Sequence, residues 1–130
     1  MTQHIPYSIL NDHIGWIALF RVTDGQLDKA KVIMKDFIDS VDQHEPGALT
    51  YQWYLSPDEK DITVFERFSC QDAAIAHVTG ECATRHFPRL LEISTVEITV
   101  YGTPGEKLSA TLIGLGVDPN GHTHIGGIQR

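Results

Sequence analysis

The sequence predicts an α+β domain in which an antiparallel sheet of four strands carries its main helices on one face. Three observations predict it. From Asp61 to Phe68 apolar Ile62, Val64 and Phe68 alternate with Thr63, Phe65 and Arg67, and the period of two gives way to a helical one at Ser69. The run Trp16-Ile17-Ala18-Leu19-Phe20-Arg21-Val22 is apolar on both faces, as an inner strand covered on each side requires. The polar stretch Ser56-Pro57-Asp58-Glu59-Lys60-Asp61 separates two strand-like runs by a short loop, so those strands pair as an antiparallel hairpin.

Taken in order, residues 1–14 carry Pro6 and no sustained period, and read as an arm laid on the surface or on a partner. After the first strand, Thr23-Asp24-Gly25 turns the chain. Leu27, Ala30, Met34, Phe37, Ile38 and Val41 then recur at three- and four-residue spacing, which makes an amphipathic helix of about five turns. Glu45-Pro46-Gly47 stops it, because proline disfavours helical geometry in the residue before it and has no N–H to donate. Ala48 to Leu55 is β-branched and aromatic enough for a second strand, with Leu49, Tyr51, Trp53 and Leu55 on one face. The third strand leads into a helix from Cys70 to about Ala83, distorted at Gly80. Ser69 and Asp72 are spaced as a capping box at its start. Pro88 is expected to open a separate turn of helix, and Thr95 to Tyr101 alternates as a fourth strand. The order βαββαβ is that of the split βαβ, or ferredoxin-like, unit. Beyond Gly102 a short helix is expected from Glu106 to Ile113, ahead of a glycine-rich tail. The chain thus divides into an arm (1–14), a domain (15–103) and an extension (104–130) that packs on the domain or on a partner subunit.

Bulk properties narrow the function. With 130 residues the chain holds one domain, and its net charge of −7, with ten basic residues not gathered into a patch, argues against nucleic acid. No apolar run approaches the roughly 20 residues of a spanning helix, so no membrane partner is expected. Two cysteines without a secretory leader point to the cytoplasm. No glycine-rich phosphate loop, nucleophile elbow or flavin fingerprint is present, and His122 and His124 lack companions at metal-ligand spacing, so no cofactor and no metal are expected.

Two residues stand out for chemistry. Glu66 shares a strand face with Val64 and Phe68. A carboxylate there is either ion-paired with Arg21 or Arg67, or part of a polar pocket. His77 lies two turns into the second helix. The wheel places Ile75, Val78 and Cys82 on the core stripe and His77 at its border, so it is either a general base beside a pocket or a structural histidine. Trp16, Tyr51, Trp53 and Phe68 offer aromatic surface that either fills the core or stacks on an aromatic ligand. The apolar outer face of the first strand needs a cover, and a second copy is the simplest.

The ordered run Glu45-Pro46-Gly47, Tyr51-x-Trp53-Tyr54, Glu66-Arg67-Phe68, Asp72-Ala73-Ala74 and His77 resembles the antibiotic biosynthesis monooxygenase family. Tyr101-Gly102, a short helix and the ending Gly126-Gly127-x-x-Arg130 resemble one branch of it, so the likeness covers about residues 15 to 130. Gln52 departs from the Glu of close relatives, and the first strand lacks the Asn of the haem-degrading members. The resemblance implies a homodimeric α/β barrel with a pocket between sheet and helices. It also implies a cofactor-independent monooxygenase that oxidises an electron-rich phenol or hydroquinone with dioxygen. On that reading His77 and Glu66 are catalytic, while Tyr51, Trp53, Phe68 and Trp16 bind substrate. A non-catalytic small-molecule-binding or stress-response barrel is the alternative, and haem degradation a distant third.

Overall fold

The structure, a computed structural model, describes residues 14–128; the expected arm, apart from Ile14, lies outside the described residues, as does Arg130. The described elements are β1 (Ile14–Val22), α1 (Leu27–His44), β2 (Ala48–Leu55), β3 (Asp61–Phe68), α2 (Gln71–Thr79), α3 (Glu81–Leu91), β4 (Ser94–Tyr101) and α4 (Glu106–Gly114). The sheet runs β2-β3-β1-β4 with every neighbouring pair antiparallel. This is the ferredoxin-like α+β arrangement that the element order predicts, with β1 in the interior of the sheet.

Strand periodicity assigns the faces. Ile14, Trp16, Ala18 and Phe20 of β1 and Ile62, Val64, Glu66 and Phe68 of β3 are buried on the inner face, together with Ser94 and Val100 of β4. Helix α1 lays Ala30, Ile33, Phe37 and Val41 on that face and joins Cys82 and Leu90 of α3 in one apolar cluster. Helices α2 and α4 form a second cluster with the other end of the sheet, where Ile14, Trp16, Phe68 and Val100 meet Ala74, Leu108 and Leu112. Burying these side chains supplies the main drive to fold, at about 25 cal/mol per Å² of apolar surface.

Three details differ from expectation. The helix from Cys70 to Ala83 is two helices, because Gly80 is extended (φ −76°, ψ 172°) and serves as the C-cap of α2 and the N-cap of α3. The two segments therefore follow different axes, and a single wheel drawn through both misplaces the buried stripe. Ala74 and His77 are the buried residues of α2, while Ile75 and Val78 are half-buried. The capping box does not form: Cys70 is the N-cap, without a side-chain cap bond, and the Ser69 N–H donates instead to the Gly47 carbonyl (2.9 Å). Pro88 opens no new turn but lies inside α3.

The extension is anchored in its own chain. His122 forms a parallel bridge with Tyr101, donating to the Val100 carbonyl and accepting from the Gly102 N–H at 2.8 Å each, while its ring stacks on Tyr101 with centroids 4.8 Å apart. Helix α4 ends in a Schellman motif: the Val117 N–H reaches Leu112 O, the Gly116 N–H reaches Ile113 O, and Gly116 takes φ +80°.

Candidate functional site

The site begins at the two polar residues that the apolar inner face should not tolerate. Glu66 sits in the middle of β3, directly across from Trp16 of β1 and Tyr51 of β2. His77 comes down from α2, and its Nε2 lies 2.9 Å from Glu66 Oε1. On the other side of the ring, Nδ1 lies 2.6 Å from Oε1 of Glu45, the residue that terminates α1. The turn that delivers Glu45 is held tightly against α2, since a Cβ on Gly47 would stand only 2.6 Å from the Cβ of Ala73. Two segments distant in sequence thus clamp one imidazole.

Both carboxylates and the imidazole are nearly inaccessible, so the charges must satisfy one another. Desolvation by itself would lower the His77 pKa, but the hydrogen bonds and charges of Glu45 and Glu66 outweigh it and push the pKa up to about 9. His77 is therefore an imidazolium at neutral pH, donating from both nitrogens, with no lone pair free to accept a proton. As an imidazolium His77 carries a fixed positive charge, and Glu66 is the carboxylate that shares the cavity with it. Burial first, and then the negative charge of Glu66, drive the Tyr51 hydroxyl far above its ordinary pKa, so it stays protonated.

These groups open onto a cavity of about 450 Å³ between the inner sheet face and helices α2, α3 and α4. Glu66 and His77 share it, so the two expected catalytic residues do meet in one space, and Trp16, Tyr51 and Trp53 line it as well. The aromatic walls are mutually packed: the Tyr51 ring lies 5.5 Å from the His77 ring and 5.6 Å from Trp53, which stacks on Phe20 at 6.2 Å. The indole Nε1–H of Trp53 is buried without a geometrically sound hydrogen bond among the described residues. It nevertheless lies close enough to Tyr51 to favour that hydroxyl's ionised form slightly. Leu91 of α3 and Leu115, Gly116 and Val117 after α4 complete the lining.

Phe68 is placed differently from expectation. It is fully buried, does not line the cavity, and packs behind it against Trp16 (4.8 Å) and His77 (5.1 Å). It supports the site without facing a ligand. Sequence reasoning also missed Glu45, whose place beside a helix-stopping proline concealed a pairing across 32 residues. The contribution of α4 and its terminal turn was missed too. As for metals, no group of three or more His, Cys, Asp or Glu among the described residues is arranged to hold one.

No protein-family model matches the chain, and no curated protein matches it. Solved structures do. A candidate antibiotic biosynthesis monooxygenase from Caulobacter crescentus superposes with a TM-score of 0.65 at 22% identity, over 68% of this chain and 87% of that one. Rv0793 from Mycobacterium tuberculosis gives 0.64 at 22% identity, over 72% and 97%. MupZ from Pseudomonas fluorescens gives 0.76 at 16% identity, over 91% and 94%. The last match covers more of the chain than residues 15–103 can supply, so the likeness extends beyond that stretch. The fold is thus one carried by structures named for antibiotic biosynthesis monooxygenases, as the sequence resemblance implied. No helix among the described residues is long and apolar enough to cross a membrane.

Proposed function

We propose that this protein is a cofactor-independent monooxygenase that oxidises an electron-rich phenol or hydroquinone with dioxygen. One observation carries the reading: a buried carboxylate and an imidazolium share a cavity of about 450 Å³ walled by Trp16, Tyr51, Trp53, Phe20 and Phe87. A flat aromatic substrate stacks on such walls with its hydroxyl toward Glu66. Glu66 accepts the phenolic proton, and the fixed charge of His77 stabilises the anion in a medium where bulk water is excluded. The anion passes one electron to dioxygen, and the superoxide and aryloxyl radical so formed combine at a ring carbon into a peroxide. Loss of water then leaves a quinone, with one oxygen atom in the new carbonyl and the other in the water. The fold likeness to structures named as candidate antibiotic biosynthesis monooxygenases supports the reading, as does the meeting of Glu66 and His77. The working form we propose is a homodimer in the cytoplasm, each subunit carrying its own cavity.

The test is oxygen consumption with simple naphthalene- and anthracene-type hydroquinones. Glu66→Gln is expected to lower kcat by about 10²–10⁴, the range for loss of a positioned base. His77→Gln, which removes the charge, is expected to lower it comparably. Wild-type uptake no faster than that of Glu66→Gln sinks the assignment. A ligand that raises Tm and is recovered unchanged under oxygen supports the non-catalytic binding alternative instead.

A further inference from the structure

The wall of the cavity holds more than a base. Glu66 on β3 and Tyr51 on β2 are direct cross-strand partners on the inner face, and both line the cavity. Cross-strand partners bring their side chains to within about 5 Å at the Cβ atoms, so the carboxylate and the phenol rise from one patch of the cavity wall. Both N–H groups of His77 are engaged by Glu45 and Glu66, which leaves its charge but neither of its donors for a ligand. The Tyr51 hydroxyl, kept protonated by its surroundings, is a donor that does not ionise in the working pH range. A base beside a permanent donor, in an apolar enclosure next to a fixed positive charge, suits a reaction in which a proton leaves carbon and negative charge builds on a neighbouring oxygen.

We propose that this cavity also enolises carbonyl compounds, Glu66 removing a proton from the carbon α to an aryl ketone while the Tyr51 hydroxyl holds the developing enolate oxygen. The C–H bond breaks and its electron pair becomes the C=C bond. The carbonyl π pair moves onto oxygen, which accepts a hydrogen bond from Tyr51, and Glu66 carries the proton as a carboxylic acid. Return of a proton to carbon regenerates the ketone. No electron changes hands and no dioxygen is required. Tyr51 thereby acts as a catalytic residue instead of only a stacking surface. The inference shares Glu66 as base with the proposed oxidation but is independent of oxygen chemistry.

The experiment is hydrogen–deuterium exchange under argon in D2O, with 1-tetralone and 1-indanone as probes and the α position followed by proton NMR. Wild-type protein is expected to accelerate exchange over buffer by a hundredfold or so, and Glu66→Gln to return it to the buffer rate. Tyr51→Phe, which preserves the ring and its packing, is expected to lose roughly 10²-fold in kcat, the usual cost of one oxyanion donor. Wild-type exchange equal to that of Glu66→Gln with both ketones overturns the proposal, and an unchanged rate in Tyr51→Phe overturns the donor role. Oxygen uptake measured on the same preparations separates the two readings. Uptake without exchange sinks enolisation alone, exchange without uptake sinks oxidation alone, and the absence of both sinks the shared base.

Discussion

A histidine whose two nitrogens each face a carboxylate differs in kind from the lone histidine of a helical wheel. Its folded pKa, about 9, stands above the ordinary 6.5, so the folded state holds a proton that the unfolded chain releases. The stabilisation is full below pH 6.5 and is lost as pH rises through about 9. At about 1.4 kcal/mol per pKa unit it amounts to a few kcal/mol. Wild-type Tm is therefore expected to fall between pH 6.5 and 9, and His77→Gln to lack this fall. Identical slopes in the two proteins would show that His77 is neutral in the fold. Glu45→Gln retains a hydrogen-bond acceptor but removes one charge, so the His77 imidazole, followed by NMR, is expected to titrate at lower pH than in wild type. The sequence made Glu66 and His77 legible because polar groups at or near apolar positions announce themselves. Glu45 was illegible, because nothing in a helix-stopping Glu45-Pro46-Gly47 says which distant side chain the carboxylate will meet.

Element by element, the alternations of β1, β2, β3 and β4 and the period of α1 were readable, since each depends on which face of one element is apolar. What escaped depended on relations between elements. Gly80 looked like a flaw in one helix and is instead the joint between α2 and α3, with His77 on the buried face of the first of them. The Ser69 signal failed because the Ser69 N–H already serves the turn at Gly47. This contact is itself testable. A Cβ at Gly47 would lie 2.6 Å from that of Ala73, and neither a turn backbone nor a short alanine on α2 can yield cheaply. Gly47→Ala is expected to cost about 1–3 kcal/mol, seen as a lower urea midpoint at unchanged m-value. Because Gly47 sits two residues after Glu45, the same change is expected to disturb the His77 titration. Wild-type stability in the Gly47→Ala variant would show that the turn is looser than its geometry implies.

At the scale of the whole molecule, one sheet face remains to be accounted for. The helices cover the inner face, while on the outer face Ile17 and Leu19 are only half-buried and Phe65, Tyr54 and Tyr101 are 43%, 54% and 41% exposed. Tyr54 and Phe65 pack on each other with rings 5.2 Å apart, so they form a continuous apolar surface instead of scattered residues. The C-terminal segment bounds part of this face, leaving a groove between it and Ile17, Phe65 and Tyr101. Several hundred Å² of such surface left in water would forgo several kcal/mol at about 25 cal/mol per Å², comparable with the net stability of a small domain. A two-fold partner would cover it with the same patch on both subunits, and two sheets packed face to face would close a barrel, as we propose. The C-terminal segment pairs with β4 of its own chain, so it is expected to contribute to that interface from its own subunit. Sedimentation at micromolar concentration is expected to give twice the chain mass of 14.5 kDa. Phe65→Lys, which places a charge at the centre of the apolar surface, is expected to shift the protein toward monomer and lower its Tm. A folded wild-type monomer at that concentration, with a Tm independent of dilution, would refute the barrel as well as the dimer.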